Sequence, residues 1–275
     1  MTLFVKQYAD ERHAARARTN YAWLASLSSG VLLPDLVAGG GCTLAFRRIA
    51  GTTPGQRDLV VLAATIGQMH RAATPLLTGA RLDRRHRVGE HVIDDFTESR
   101  RAALQHAAAV HSVGPQWIDA ILDRAAEMRP AFYKDSNLRN FLLTANGVGV
   151  VDFDDLTLAP HGYDLAKLVT SMAMTFGQLN LLDILSALDT YNSAVGYAAC
   201  AARHLAIWAE LNWLLTANYI GRNGYQHPWP RVRPWSNPFQ EGSRWPSART
   251  LPWSGTAKPN ATSPGASAAT KVAPA

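Results

Sequence analysis

Two cysteines, Cys42 and Cys200, stand far apart in the 275-residue chain, with no Cys/His cluster of zinc spacing. Their scarcity excludes a disulfide framework and a zinc module, and it suits a reducing cytoplasm. No long apolar run is present. The most apolar stretch, through Leu205, Trp208, Leu211 and Trp213, is interrupted by Glu210 and Asn212, which argues against a membrane span. Lys6, Asp10 and Glu11 occupy the place where a secretory leader would be apolar, so no signal peptide is expected. No internal repeat is visible. Acidic residues are nearly missing from the C-terminal end, where Arg231, Arg233, Arg244, Arg249, Lys258 and Lys271 face Glu241 alone. That end therefore carries +5 of the formal +6, and the 225 residues before it are close to neutral.

The same end is rich in Pro, Ser and Ala, so residues 226–275 read as a disordered tail attached to a folded domain. Trp229, Trp235, Trp245 and Trp253 recur there beside Arg and Pro. Such a pattern reads as a solvated tail or as weak binding to an acidic partner or nucleic acid. The preceding 225 residues suffice for a sizeable core.

Chemistry concentrates in FYKDSNLRNFLLTANGVGVVDFDD, residues 132–155. A polar turn holds Asp135 and Asn140. Two apolar runs, Phe141–Leu143 and Val148–Val151, flank Asn146-Gly147, a dipeptide that favours a hairpin turn. The hairpin brings Asp152 back beside the turn. Two carboxylates and a carboxamide then converge as hard oxygen donors suited to Mg²⁺ with a phosphate. Taken singly, Asp135 and Asn140 also read as ordinary turn caps.

Asp135 and Asn140, Asp152-Phe153-Asp154-Asp155, and Tyr163-Asp164-Leu165-Ala166 follow one another in this order. The arrangement resembles the aminoglycoside/choline phosphotransferase family of the protein-kinase-like fold, over roughly residues 3–225. The resemblance implies an α+β, two-lobed protein-kinase-like fold. Residues 1–50 would form a small, shortened β-containing N-lobe, and residues 51–225 a mainly helical C-lobe with the catalytic loop. It implies phosphoryl transfer from ATP or GTP, with Mg²⁺, to a hydroxyl-bearing small molecule. Asp135 would be the catalytic base; Asn140 and Asp152 would hold the metal. Lys6 would contact the nucleotide phosphates and pair with a helix acid, for which Glu11 is the candidate. The strand ending at Phe46 would lead to the hinge that bonds the base. Arg139 would reach a phosphate, or be solvated or pair with Asp154 and Asp155, and Lys134 has the same alternatives.

Tyr133-Lys134 stands where the family has His-Gly, so Tyr133 is expected to prop Asp135. No glycine-rich lid precedes Lys6, and Gly39-Gly40-Gly41 reads as a turn. Helices are expected over 56–71, over 91–129 as a pair, and over 163–176, 180–196 and 198–220. His70 reads as a buried structural histidine, and Asp164 as a cap and brace. A kinase-like nucleotide-binding protein without turnover, and a kinase acting on protein or lipid-linked sugar, are the alternatives. Residues 90–130 mix Asp94, Asp95, Glu98 and Asp119 with several arginines and form no acidic wall for a polycation.

Overall fold

A computed structural model of the protein describes residues 2–237. Strand β1 (Leu3–Gln7) leads into helix α1 (Glu11–Ser26). The Asp10 carboxylate starts that helix by accepting the His13 N–H at 2.9 Å. Strands β2 (Leu36–Gly40) and β3 (Thr43–Arg47) complete an antiparallel sheet in the order β1-β3-β2. Helical spacing puts Ala14, Ala17 and Leu24 in the core between α1 and this sheet. Tyr21 meets Phe46 and Phe153 edge-on, and those two rings are tilted against each other, with all centroids 5.3–5.8 Å apart.

The glycine run is only partly the expected turn. Gly39 and Gly40 extend β2, opposite Leu44 and Thr43, and Gly41 turns with φ +51°. A Cβ on Gly39 would come within 2.8 Å of a terminal methyl of Leu44, so that side chain would have to shift to admit it.

The remaining elements are mostly helical. They are α2 (Leu59–Ala73), the short strands β4 (His86–Val88) and β5 (His91–Ile93), α3 (Glu98–Val110) and α4 (Pro115–Ala126). Then come β6 (Pro130–Tyr133), β7 (Phe141–Thr144), β8 (Gly147–Val150) and β9 (Thr157–Pro160). Helices α5 (Tyr163–Phe176), α6 (Leu181–Val195), α7 (Ala202–Thr216) and α8 (Trp229–Val232) follow. Helix α2 packs along α6, and α5 along α7. Leu165, Leu168, Val169 and Met172 of α5 are fully buried. Each contributes about 1.5–3 kcal/mol of transfer free energy, which makes α5 the axis of this lobe. Residues 91–93, expected to open the first of two helices, form strand β5 instead, paired with β4. Among the described residues no helix is long and apolar enough to cross a membrane.

Two strand pairs fix the central loops. β7 and β8 form the expected hairpin, with Ala145 and Asn146 at its tip, one residue earlier than Asn146-Gly147. It is tied on one side by reciprocal Thr52–Leu143 backbone bonds of 2.9 and 2.8 Å, and on the other by Val150 N–H donating to the Leu32 carbonyl at 2.9 Å. β6 pairs with β9, its neighbour across a long sequence gap, and carries the chain up to Asp135.

The expected disordered tail begins too early at 226. Trp229 is fully buried, Trp235 is 7% exposed, and Arg233 forms a two-pronged ion pair with buried Glu210 of α7 at 2.7 Å for each contact. A carboxylate inside an apolar helix demands a partner, and the sequence just after Tyr225 supplies it. The disorder and acidic partner expected beyond Asn237 fall outside the described residues.

Candidate active site

The turn after β6 is gripped from below. Asp164, fully buried at the start of α5, accepts the backbone N–H groups of Lys134 and Ser136, both at 3.2 Å. Behind it His70 places Nε2 3.6 Å from the Asp164 carboxylate and Nδ1 2.8 Å from the Tyr191 hydroxyl. Ser171, two turns along α5, accepts the Leu138 N–H at 3.1 Å. The Asp135 carbonyl accepts Asn137 N–H at 2.7 Å and Asn140 Nδ2 at 2.8 Å. Held this way, Asp135 adopts φ +59°.

Three groups surround its carboxylate. Tyr133 donates its hydroxyl to Oδ1 at 3.0 Å, Lys167 Nζ lies 3.5 Å from the same oxygen, and Asn140 Nδ2 is 3.4 Å from Oδ2. Tyr133 is the prop expected in place of histidine. Burial, then the neighbouring Asp135 charge, pushes its phenol well above the ordinary value, so it remains a donor. Arg100 lies beneath, 5.1 Å from the Tyr133 ring centre and 5.4 Å from that of Tyr163, and is bonded to Thr157 Oγ1 at 2.7 Å.

Asp152 leaves β8 with φ +68°, and Val151 N–H donates to the Asn140 carbonyl at 2.9 Å, so hairpin and turn are stitched together. Lys6 reaches across from β1 to Asp152 Oδ1 and Asp154 Oδ2, both at 2.7 Å. Burial alone would raise the Asp152 carboxyl, but the Lys6 hydrogen bond and charge hold it below the usual carboxylate range. Burial likewise works against the Lys6 ammonium, and the two carboxylates hold its pKa above the ordinary value. Glu11 takes no part. It is exposed, and the acids paired with Lys6 follow the hairpin instead of lying on α1.

Two cavities meet here. The larger, about 480 Å³, is lined by Lys6, Tyr8, Phe46, Ile49, Asn140 and Asp152 among others. Its basic side chains Lys6, Arg47, Arg48 and Arg139 outnumber the single carboxylate of Asp152, which suits a polyphosphate. Phe46 contributes its ring. Its backbone lies in the central strand, matched to Phe4 on one side and Leu36 on the other, and so is not free to bond a base as expected. Ile49, in residues 48–51 just after β3, lines the same cavity and makes no backbone hydrogen bond among the described residues. The smaller cavity, about 300 Å³, is lined by Tyr133, Asp135, Asp155, Lys167, Tyr219 and Tyr225 among others. Arg139 lines both and bonds Asn223 Oδ1 at 2.5 Å; it does not pair with Asp154 or Asp155.

Asn140 bonds through Nδ2, which leaves its Oδ1 as an acceptor, and Lys6 takes only Oδ1 of Asp152. One carboxylate and one carboxamide oxygen beside a basic cavity fit a hard divalent cation that completes its shell with phosphate and water.

Lys134 behaves otherwise than expected. It is 1% exposed, gives its amine to the Val151 carbonyl at 3.2 Å, and reaches neither Asp154 nor Asp155. Burial pushes its pKa down. Lys167 carries no expectation from the sequence, and Asp155 only those of a motif member and a partner for Lys134 or Arg139. Lys167 stands one helical turn after Asp164 on α5, and that spacing is the signal that could have found it.

The chain matches the family model described as "Phosphotransferase enzyme family" over residues 1–211. No curated protein matches it in sequence. Similar solved structures include an aminoglycoside-3'-phosphotransferase of type VIII, at 17% identity and TM-score 0.52, covering 78% of this chain and 84% of that one. An aminoglycoside phosphotransferase from Streptomyces rimosus, solved with ADP and streptomycin, gives 16% identity and TM-score 0.52, covering 78% and 87%. An amicoumacin kinase solved with AMP-PNP and Ca²⁺ gives 11% identity and TM-score 0.50, covering 78% and 72%. At these identities the likeness is one of fold.

Proposed function

Because the chain belongs to the phosphotransferase enzyme family, we propose that it moves the terminal phosphoryl group of ATP or GTP onto a hydroxyl of a small molecule. One observation carries the reading: Asp135 lines the small cavity, Asn140 and Asp152 line the basic one, and Arg139 borders both. A phosphoryl group seated between them has an acceptor on one side and its leaving group on the other. The small volume of the second cavity, about 300 Å³, favours a small molecule over a protein or a lipid-linked sugar.

In this reading the larger cavity holds the nucleotide, with Lys6 on its phosphates, the Phe46 ring against the base and the Ile49 backbone as its hydrogen-bonding edge. Asn140 and Asp152 hold Mg²⁺, which neutralises phosphate charge when bound. Lys6 exchanges its carboxylate partners for phosphate oxygens. Tyr133 and Lys167 fasten Oδ1 of Asp135, so Oδ2 is the atom that takes the acceptor proton. As the acceptor O–P bond forms, the bridging O–P bond of the nucleotide breaks and the nucleoside diphosphate leaves. Positioning and charge stabilisation supply most of the rate in such transfers. A cytoplasm rich in nucleotide and keeping Cys42 and Cys200 reduced suits this chemistry.

The test is the melting temperature with ATP, with Mg²⁺ or with EDTA. The wild type should gain more with Mg²⁺, and Asp152→Asn should abolish the difference. An unchanged Mg²⁺ dependence in Asp152→Asn refutes the metal assignment.

A further inference from the structure

The smaller cavity has a charge pattern that bears on which acceptor enters it, granted that it is the acceptor site proposed above. Its ionisable walls are the acids Asp135 and Asp155 and the bases Arg139 and Lys167, together with three tyrosines. The acids and bases balance. Lys167 is almost completely buried, and its ammonium lies 3.5 Å from Asp135. Burial opposes that charge, yet Asp135 holds the Lys167 pKa above its ordinary value, so the cation persists at neutral pH. Asp135 is thus already compensated before any ligand arrives. Asp155 makes no hydrogen bond or ion pair among the described residues. Crowding by protein, and by Asp135, Asp154 and Asp152, raises its carboxyl. It is the one carboxylate of the cavity left to receive a ligand group.

Arg139 adds a further cation with a neutral partner, Asn223. Tyr219, 44% exposed, offers an open ring and hydroxyl at the rim. The volume is near the bottom of the roughly 300–1,000 Å³ range of small-molecule sites.

We propose that the acceptor is a polyhydroxylated molecule of monosaccharide or cyclitol size carrying at most one amine, and that Lys167 and Arg139 exclude polycations from the cavity. Hydroxyls match the tyrosines and Asp135, and Asp155 takes a hydroxyl or the single amine. A second and third ammonium group would meet Lys167 and Arg139 with no free carboxylate to face. Two like charges within a few ångströms in a partly buried site repel strongly.

The test isolates charge from size. Affinities of a cyclitol series bearing zero, one, two and three amines are measured by calorimetry on the full chain with Mg²⁺ and AMP-PNP, at low ionic strength. Affinity should be highest at zero or one amine and fall at least tenfold by the third. In Arg139→Gln, at an exposed position that tolerates the change, the optimum should move toward more amines, with the triamine gaining about tenfold. Lys167→Gln should do the same where it folds. Added salt should shrink every difference. Wild-type affinity that rises with each amine, or a profile that Arg139→Gln leaves unmoved, overturns the inference. ATP consumption with the tightest ligand is read separately: the expected profile without phosphorylation would refute the transfer activity and leave the charge selection intact.

Discussion

The ion pair between Glu210 and Arg233 decides whether residues 226–237 belong to the folded domain. Glu210 is fully buried in α7, bound by Arg233 through both carboxylate oxygens and by Trp229 Nε1 at 2.9 Å. Arg233→Ala would leave the carboxylate with the indole alone. Breaking a buried pair from one side costs about 3–5 kcal/mol. Burial already raises the Glu210 carboxyl even with Arg233 present, so the variant can protonate it and escape part of that cost. We therefore expect about 3 kcal/mol of destabilisation at neutral pH, shrinking as the solution is acidified. Glu210→Met/Arg233→Met together should recover at least half, since no charge is then stranded. Trp229→Ala should cost about 3–5 kcal/mol by cavity formation. A chain ending at Tyr225 loses Trp229 and Arg233 at once. Because domains keep only about 5–15 kcal/mol in hand, it should not melt cooperatively. Urea unfolding followed by tryptophan fluorescence gives each value. Arg233→Ala and Trp229→Ala both within about 1 kcal/mol of wild type would show that this segment is only laid on the surface. The same clamp bears on the site, because Tyr219, Asn223 and Tyr225 lie between α7 and α8. Arg233→Ala should raise the acceptor KM more than it weakens nucleotide binding.

Asp135→Asn should cut kcat about 10²-fold or more, the scale of losing a positioned base, with nucleotide affinity nearly unchanged; single-turnover kinetics at wild-type rate would place the base elsewhere. Lys6→Met should weaken nucleotide binding and alter the acid limb of stability. Because Lys6 holds the Asp152 carboxyl below its ordinary value, the pair's stabilisation is present above about pH 4 and lost as pH falls further; equal acid sensitivity in wild type and variant would refute that pairing. Burial depresses His161 from 6.5 to about 3, so the unfolded chain binds the extra proton between those values. Stability should fall there by up to about 1.4 kcal/mol per pH unit from this group, and denaturation midpoints of His161→Gln should lack that component of the slope.

What the sequence made legible was local. The β7–β8 hairpin follows from apolar runs flanking a turn dipeptide, and α1 from its Asp10 cap and spacing. The segments that escaped are those whose partners lie far along the chain. β6 finds β9 more than twenty residues on, and β4 and β5 are three residues each, too short to show a period. Lys6 illustrates the same limit. A search for its acid along α1 yields only Glu11, whereas the fold brings Asp152 and Asp154 to it. The tail boundary failed for a different reason. Pro and Arg density near Trp229 imitates a disordered composition, yet the question of what neutralises Glu210 in an otherwise apolar helix could have been asked from the sequence. The nearest cations after the following loop are Arg231 and Arg233.

Asp135 and Asp152 share a property that ties the backbone to the chemistry. Both sit at positive φ, +59° and +68°, a region that costs most residues about 1–3 kcal/mol and that Asp and Asn enter most readily after glycine. Each position therefore demands a short polar side chain twice over, once for the turn and once for the proposed reaction. The two demands separate on substitution. Asparagine satisfies the backbone and removes the charge, so Asp135→Asn should fold like the wild type and lose turnover. Alanine removes both, and Asp135→Ala should lose stability as well. Equal stability of the two variants would mean that the positive φ carries no strain, and that Asp135 is fixed there by its chemistry alone.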